Sequence, residues 1–172
     1  MGEVIVVSGP PGVGKSTVAR AVADLYDPSA LVVGDDFFSY LRRGSIEPWL
    51  PEADAQNRTV LDAAGAACGR LSDRFTVVYD GVLWPPYTAL FASAAGRTVH
   101  YAVLLPPLDV CLQRVRDRGE HPFTDQAAAS DMWHSFDSAM GGLPRLDALG
   151  QPEEVAAEVV RLVGNGTIRT SG

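Results

Sequence analysis

Residues 9–17 read GPPGVGKST, and they lie between a short β-branched run and a segment whose apolar residues recur at helical spacing. The run at residues 4–7 predicts a buried strand, and Val18, Val22 and Leu25 predict one face of a helix. Glycines let the backbone turn tightly, and the N–H groups of such a turn attract phosphate oxygens, as does the N-terminus of the following helix. We therefore interpret this stretch as a P-loop, a backbone cradle for polyphosphate.

Two side chains of the P-loop have specific expected roles. Lys15 would reach the β- and γ-phosphates of a nucleoside triphosphate, and the Ser16 hydroxyl would hold Mg²⁺. Lys15 is also the one lysine in a chain with 13 arginines, which supports the interpretation because a compact ammonium suits a phosphate. The candidate nucleotide contacts are Gly9, Pro10, Pro11, Gly12, Val13, Gly14, Lys15, Ser16 and Thr17, together with Arg114 later in the chain.

The composition predicts a single domain over residues 1–172 and argues against several classes of protein. A net charge of −7 argues against a large nucleic-acid surface. Cys68 and Cys111 lie in apolar helical patterns, so we expect reduced core thiols rather than a disulfide or a metal site. The histidines lack ligand spacing, and no apolar segment approaches the ~20 residues of a membrane span. We expect a cytoplasmic protein without a membrane partner.

Two adjacent acids follow the second predicted strand. Residues 30–33 form an apolar run that ends in Gly34-Asp35-Asp36. Ligands of parallel α/β sheets bind beyond the carboxyl ends of the strands, so both acids are expected at the same edge as the P-loop. One of them would accept the proton of a substrate hydroxyl. For either residue alone, the alternative is that it caps the next helix.

A loop and the helix after it are the candidate acceptor-binding segments. Residues 41–53 mix arginine, glycine and proline around Trp49 without periodicity, which favours a substrate-facing loop. The alternative is that Trp49 packs on the protein's own surface. From Asp54 the pattern becomes helical, and Arg58 near its start would either bind an anionic or polar substrate group or be solvated. The apolar stripe of this helix contains Val60, Leu61, Ala64, Cys68 and Leu71.

The third predicted strand also ends in an acid. Residues 75–79 are followed by Asp80-Gly81, which resembles a Walker B element, in which the carboxylate holds Mg²⁺, usually through water. Asp80 is therefore a candidate metal ligand together with Ser16. We also count Asp80 as a candidate substrate contact, with Asp36, Trp49 and Arg58. A stiff connection at residues 84–87 follows on the same edge.

A helix rich in arginine follows the fourth predicted strand, residues 99–105. Arg114 and Arg118 are four residues apart and share a helix face, whereas Arg116 points elsewhere. A pair of arginines that runs into a Gly/Pro loop is typical of a lid that brings positive charge to a transferring phosphate. We predict such a lid at about residues 114–128. The alternative is that these arginines are solvated and balanced by nearby acids.

The rest of the chain predicts a helix over residues 126–140, a short fifth strand at 145–148 and a last helix from Pro152. The polar, glycine-rich residues 164–172 predict a flexible tail. The overall expectation is an α/β protein with no internal repeat and no second domain.

The motifs taken in order resemble those of small P-loop kinases: GPPGVGKST, GDDF, YDG, CLQRVRDRG and LDALGQPEEVAAEVV. Chains of this kind include gluconate and shikimate kinases, antibiotic kinases of the chloramphenicol phosphotransferase type, and the kinase domain of phage polynucleotide kinase. The resemblance implies a three-layer P-loop NTPase fold with a five-stranded parallel sheet of order 2-3-1-4-5 and a lid of helix and loop. It also implies that Asp35 or Asp36 is the catalytic base and that Arg114 and Arg118 are catalytic lid residues.

The combined expectation is a kinase that uses ATP and Mg²⁺ to phosphorylate a hydroxyl of a small polar molecule, such as a sugar acid or an antibiotic. The segment after GDDF lacks the arginine-rich signature of a dedicated shikimate kinase. One alternative is a polynucleotide 5′-hydroxyl kinase, against which the negative net charge argues. Another is a nucleotide-binding ATPase or switch protein that transfers nothing and needs a partner protein.

Overall fold

The computed structural model describes residues 2–117 and 124–170 of the chain. The strands are β1 Val4–Ser8, β2 Ser29–Val33, β3 Thr76–Asp80, β4 Val99–Leu104, β5 Arg145–Leu146 and β6 Arg169–Thr170. The helices are α1 Lys15–Ala23, α2 Gly34–Ser39, α3 Asp54–Leu71, α4 Thr88–Ala95, α5 Leu108–Arg116, α6 Gln126–Ala139 and α7 Pro152–Gly164. Short 3₁₀ turns at Pro51–Ala53 and Pro85–Tyr87 lead into α3 and α4.

The sheet confirms the predicted strand order. Its path is β2-β3-β1-β4-β5, and these neighbouring strands pair in parallel. Strand β1 is buried along its whole length, as expected for the centre of a sheet that is covered on both faces. Strand β6, which pairs antiparallel with β4, was not predicted from the sequence.

Helices cover both faces of the sheet and make three layers. Alternate residues of β1 point to opposite sides, so Ile5 and Val7 pack with α1 and α7. Val4 and Val6 pack with α3, α4 and α6 on the other side. Each face therefore has its own apolar core, and the two cores lie between the helices and one shared sheet.

The two cysteines are buried and unbonded, which confirms the prediction of core thiols. Cys68 belongs to the core under α3, whereas Cys111 belongs to the core on the opposite face of the sheet. Burial raises the pKa of Cys68 to about 12 and that of Cys111 to about 11, so both thiols remain protonated at neutral pH.

Two expectations need correction. The tail was predicted to be flexible, but within residues 164–170 the side chain of Ile168 is 1% exposed and its carbonyl accepts a hydrogen bond from Tyr101 N at 2.8 Å. Ile168 adds apolar area to the core, and β6 adds backbone hydrogen bonds, so this segment is ordered against β4. Leu71 was predicted to lie on the buried stripe of α3, but as the last residue of that helix it is exposed.

The register of the strands brings three carboxyl ends into line. Val33 of β2 pairs with Asp80 of β3, and Asp80 in turn pairs with Val7 of β1. The chain leaves β1 for the P-loop and leaves β2 for the acids of α2. The segments with chemical content therefore meet at one edge of the sheet, as the strand ends of a parallel α/β sheet require.

Candidate active site

The P-loop turns between β1 and α1 with left-handed backbone angles at its glycines. Gly9 has φ 143° and Gly12 has φ 86°, values that residues with a Cβ rarely adopt. Space is also lacking at both positions. A Cβ on Gly9 would lie 2.2 Å from the carbonyl oxygen of Leu104, and one on Gly12 would lie 2.4 Å from that of Cys111. The loop is thus held against β4 and α5, which fixes its path.

Lys15 begins α1 and extends back over the loop. Its Nζ donates a hydrogen bond to the carbonyl oxygen of Pro10 at 3.0 Å. This contact keeps the ammonium on the side of the loop where the cavity lies, since Lys15, Pro11, Gly14, Ser16 and Thr17 all line that cavity. The arrangement provides a positive charge and a helix N-terminus at one place, which is the chemistry that binds a polyphosphate.

Ser16 and Asp80 form the candidate metal centre. Asp80 is 6% exposed, and burial raises the pKa of its carboxyl group. A hydrogen bond from the Ser16 hydroxyl and the positive charge of Lys15 oppose that rise, whereas the charge of Asp35 adds to it. A hydroxyl and a carboxylate are the hard oxygen ligands that Mg²⁺ prefers, so the residues present fit this ion.

The two acids after β2 have different positions. Both lie in the first turn of α2, and the N-cap of this helix is Val33, whose side chain makes no capping hydrogen bond. Asp35 lines the same cavity as Lys15, Ser16 and Asp80, whereas Asp36 is not among its lining residues. Sequence reasoning could not separate the two, because adjacent residues at a helix start differ only in the direction of their side chains.

Arg114 contacts the P-loop from α5. Its Nη1 donates to the carbonyl oxygen of Val13 at 3.2 Å and more weakly to that of Gly12 at 3.5 Å, and its Nη2 donates to that of Ala148 at 3.4 Å. Its guanidinium thus braces the loop backbone and is not among the groups that line the cavity. Arg116 bonds to Gln113 instead. Arg118 and the centre of the predicted lid lie outside the described residues.

The cavity that begins at the P-loop has a volume of about 960 Å³ and a second wall built from four separate segments. These are residues 47–51 of the predicted substrate loop, the start of α3, the connection at 84–87, and α6. The larger apolar side chains of this wall are those of Trp49, Leu50, Leu61, Trp84, Tyr87, Met132 and Phe136. Its size and lining are those of a small-molecule site.

The substrate loop is tied to α3 by amide side chains. Gln56 exchanges two hydrogen bonds with the backbone of Ile46, at 2.8 and 2.7 Å, and Asn57 Nδ2 donates to the carbonyl oxygen of Pro48 at 2.7 Å. The sequence predicts only that Gln56 and Asn57 lie near the start of a helix. Their role depends on a loop that lies about ten residues away along the chain.

Trp84 and Tyr87 form a connected aromatic pair on the same wall. Trp84 Nε1 donates to the carbonyl oxygen of Ser135 in α6 at 3.2 Å, and the rings of Trp84 and Tyr87 meet edge to face with centroids 5.8 Å apart. Leu83, the residue before Trp84, is held by Ser8 at the end of β1, because the Oγ of Ser8 exchanges hydrogen bonds with the backbone of Leu83 at 2.9 Å. The sheet edge therefore positions this wall.

Arg58 is not among the residues that line the cavity. Its Nε donates to Asp54 at 2.9 Å, and its guanidinium lies 5.1 Å from the centroid of the Tyr87 ring. Tyr87 in turn donates from its hydroxyl to Asp54 at 2.5 Å. These two hydrogen bonds, first that of Tyr87 and then that of Arg58, lower the pKa of Asp54. Arg58 thus supports the aromatic wall, while its expected substrate contact stays a prediction.

A family model described as an AAA domain matches residues 4–141. A gluconokinase from Sinorhizobium meliloti 1021 is a structural neighbour with a TM-score of 0.71 and 24% sequence identity, over 95% of this chain and 94% of that chain. The tunicamycin resistance protein of Deinococcus radiodurans has a TM-score of 0.68 and 23% identity, over 95% and 96%. Shikimate kinase from Acinetobacter baumannii, in complex with shikimate, has a TM-score of 0.63 and 18% identity, over 96% and 95%.

Among curated proteins, none has a sequence that matches this chain. The structural neighbours thus share the P-loop kinase fold with it at low sequence identity. Within residues 2–117 and 124–170, no helix is long and apolar enough to cross a membrane.

Proposed function

This chain belongs to the AAA domain family, and from that premise we propose that it is a phosphotransferase that moves the γ-phosphoryl group of ATP to a hydroxyl of a small polar molecule, such as a sugar acid or an antibiotic. The observation that carries the proposal is one cavity with two kinds of wall. Lys15, Ser16 and Asp80 line one side, and the aromatic residues described above line the other. Asp35 lines the same cavity. A protein that only bound a nucleotide would need no second wall.

In the proposed reaction the acceptor hydroxyl oxygen forms a bond to the γ-phosphorus, and the bond from that phosphorus to the bridging oxygen breaks. ADP leaves with the electron pair of the broken bond, and the hydroxyl proton passes to the Asp35 carboxylate. The P-loop amides and Lys15 bind the phosphates and stabilise their charge. Such a reaction relies on positioning and charge stabilisation rather than on a covalent enzyme intermediate.

Ser16 and Asp80 would hold Mg²⁺, which supplies positive charge to the phosphate oxygens. Arg114 braces the P-loop through its contacts with Val13 and Gly12, which supports a role in nucleotide binding.

Arg118 remains the predicted catalytic arginine of the lid. Arg118→Ala should lower turnover more than the affinity for ATP, and an unchanged turnover would remove Arg118 from the mechanism. An enzyme that depends on ATP in this way would act in the cytoplasm.

The test is a search for products that gain one phosphoryl group. The purified protein is incubated with ATP, Mg²⁺ and pooled hydroxylated metabolites and antibiotics, and mass spectrometry detects any compound that gains HPO₃. The Lys15→Ala variant is the control, because it should bind and use ATP poorly. Hydrolysis of ATP without any phosphorylated product would contradict the proposal and favour a nucleotide switch. Phosphorylation of an oligonucleotide 5′-hydroxyl alone would favour the polynucleotide kinase instead.

A further inference from the structure

The acceptor half of the cavity, meaning the part lined by residues 47–51, 84–87, α3 and α6, presents partly exposed aromatic rings. Trp49 is 39% exposed and Trp84 is 36% exposed, and both line the cavity with Tyr87. The hydrogen bond from Trp84 to Ser135 and its edge contact with Tyr87 hold its ring in place. A flat apolar group of a bound molecule that covers such rings removes a large apolar area from water, which favours binding. The acceptor half is therefore suited to a molecule with a ring.

Several of the polar residues that line the cavity carry hydrogen-bond acceptors. Asn57 Nδ2 donates to a carbonyl oxygen of the substrate loop, which assigns the orientation of the amide. Asn57 Oδ1 is buried and has no hydrogen-bond partner in the described part of the chain. The carboxylates of Glu47 and Asp35 line the same cavity. A bound molecule that brings O–H or N–H donors would satisfy these oxygens, and a carboxylate would not.

The positive charge of the cavity lies at the P-loop. Among the lining residues that the structure describes, Lys15 is the one with a cationic side chain, and it is at the phosphate end. Arg58, the nearest expected cation on the acceptor side, is engaged with Asp54 and Tyr87 and does not line the cavity. An anionic acceptor would thus meet Glu47 and Asp35, whereas Lys15, the cation among the described lining residues, lies at the phosphate end, and this arrangement costs affinity.

We infer that the acceptor is a neutral or cationic molecule that carries both hydroxyl groups and a flat apolar ring, and that carboxylated acceptors are discriminated against. The inference rests on the proposed phosphotransferase function. It names the chemical class of the acceptor, and of the two proposed kinds of acceptor, sugar acids and antibiotics, it excludes the sugar acids. The rings of Trp49 and Trp84 cover the apolar face of the molecule. Asn57 and the two carboxylates receive its donors, with Asp35 next to the hydroxyl that reacts.

Binding of matched probes tests this class without requiring turnover. Phenyl β-D-glucoside and phenyl β-D-glucuronide differ in one carboxylate, as do uridine and orotidine. Methyl β-D-glucoside lacks the ring. Isothermal titration calorimetry is performed on the whole protein with Mg²⁺ and ADP. In at least one pair the neutral member should bind about tenfold or more tightly than its carboxylated partner, and the phenyl glucoside should bind about tenfold more tightly than the methyl glucoside. Equal or tighter binding of the carboxylates, or no neutral ring compound bound at millimolar concentration, overturns the inference.

Two variants connect the discrimination to named residues. Glu47→Arg should reduce the preference for the neutral member of each pair at least about threefold, because it replaces a lining anion by a cation. Glu52→Arg is the matched control, since Glu52 is an exposed acid of the neighbouring turn that does not line the cavity. Trp49→Ala should weaken binding of the phenyl glucoside about fivefold or more and should change binding of the methyl glucoside much less. Unchanged ADP affinity checks that each variant is folded, and preferences unaffected by Glu47→Arg and Trp49→Ala would contradict the assignment.

A parallel assay separates this inference from the proposed function. The same probes are incubated with ATP and Mg²⁺, and transfer of phosphate is measured by mass. If the neutral ring compounds bind selectively but neither they nor any pooled hydroxylated compound is phosphorylated, the phosphotransferase proposal fails and the binding class stands. If carboxylated compounds are phosphorylated faster than their neutral partners, the phosphotransferase proposal stands and the acceptor class is wrong.

Discussion

Replacing Asp35 by asparagine should slow phosphoryl transfer while leaving ATP binding nearly intact. Asp35 lines the cavity beside the P-loop but is not part of it. Asparagine has the same shape as aspartate, yet it cannot accept the proton of the acceptor hydroxyl at neutral pH. Asp36→Asn is the matched comparison, because this neighbour has the same charge and helix turn but does not line the cavity.

The size of the effect follows from the role assigned to the carboxylate. Loss of a general base typically slows a reaction about 10²- to 10⁴-fold, which corresponds to roughly 2.7–5.5 kcal/mol in the barrier. The structure adds a second effect of known sign. The negative charge of Asp35 helps to raise the pKa of Asp80, so its removal should lower that pKa and keep Asp80 ionised at a lower pH. The Mg²⁺ requirement should therefore not increase.

The assay measures kcat and KM for ATP with any acceptor found in the product search, together with ATP affinity by calorimetry. Asp35→Asn should lower kcat about 100-fold or more with an ATP affinity within about twofold of the wild type. Asp36→Asn should retain kcat within about threefold. Equal losses of ATP binding and transfer in Asp35→Asn would indicate a structural role at the start of α2. A larger loss in Asp36→Asn would assign the base to the other acid.

Three other changes probe the P-loop and the metal centre. Lys15→Ala should abolish nucleotide-dependent activity, measured as phosphoryl transfer and ATP hydrolysis, and normal turnover would refute the P-loop assignment. Because burial raises the pKa of Asp80 and Mg²⁺ needs its ionised form, Mg²⁺·ATP affinity should decline on acidification at a higher pH than an ordinary aspartate would cause. Calorimetry at a series of pH values should show this decline in Mg²⁺·ATP affinity for the wild type and no such decline for Asp80→Asn. Gly12→Ala should lower the free energy of unfolding by about 3 kcal/mol, against about 1 kcal/mol for Gly44→Ala. Both positions have positive φ, but only at Gly12 would the new Cβ meet backbone, so equal losses in urea unfolding would contradict the packing argument.

The local features of the site were predictable from residue types and spacing. A strand, a glycine-rich turn and a helix are adjacent in the chain, so residues 9–17 predict the phosphate cradle without any other part of the molecule. The rule that ligands bind at the carboxyl ends of parallel strands brought Asp35, Asp36 and Asp80 to the same edge. The strand order itself followed from the resemblance to small P-loop kinases and is confirmed by the pairing of the strands.

The direction of side chains and the pairing of distant segments were beyond the reach of the sequence. Residues 164–172 are polar and rich in glycine, which predicted a flexible tail, yet the partner of β6 lies about 70 residues earlier in β4. Arg58 carries a charge that suits a substrate anion, but in the folded chain its guanidinium donates a hydrogen bond to Asp54 and lies over the ring of Tyr87. Contacts of this kind are not visible in the sequence because charge and polarity are local properties, whereas the group that satisfies them is supplied by tertiary contact.

The amino-acid sequence by itself determined the P-loop and the two acidic strand ends, because each depends on neighbours within a few residues, and the order of its motifs indicated the class of fold. Only the tertiary structure decided that Asp35 rather than Asp36 lines the cavity, and that Arg114 braces the loop backbone. Only the tertiary structure brings Trp49, Trp84 and α6 together as one wall in the acceptor half of the cavity. The physical reason is that this wall is held by hydrogen bonds between segments far apart in the chain, such as that from Trp84 to Ser135, and no local pattern encodes them.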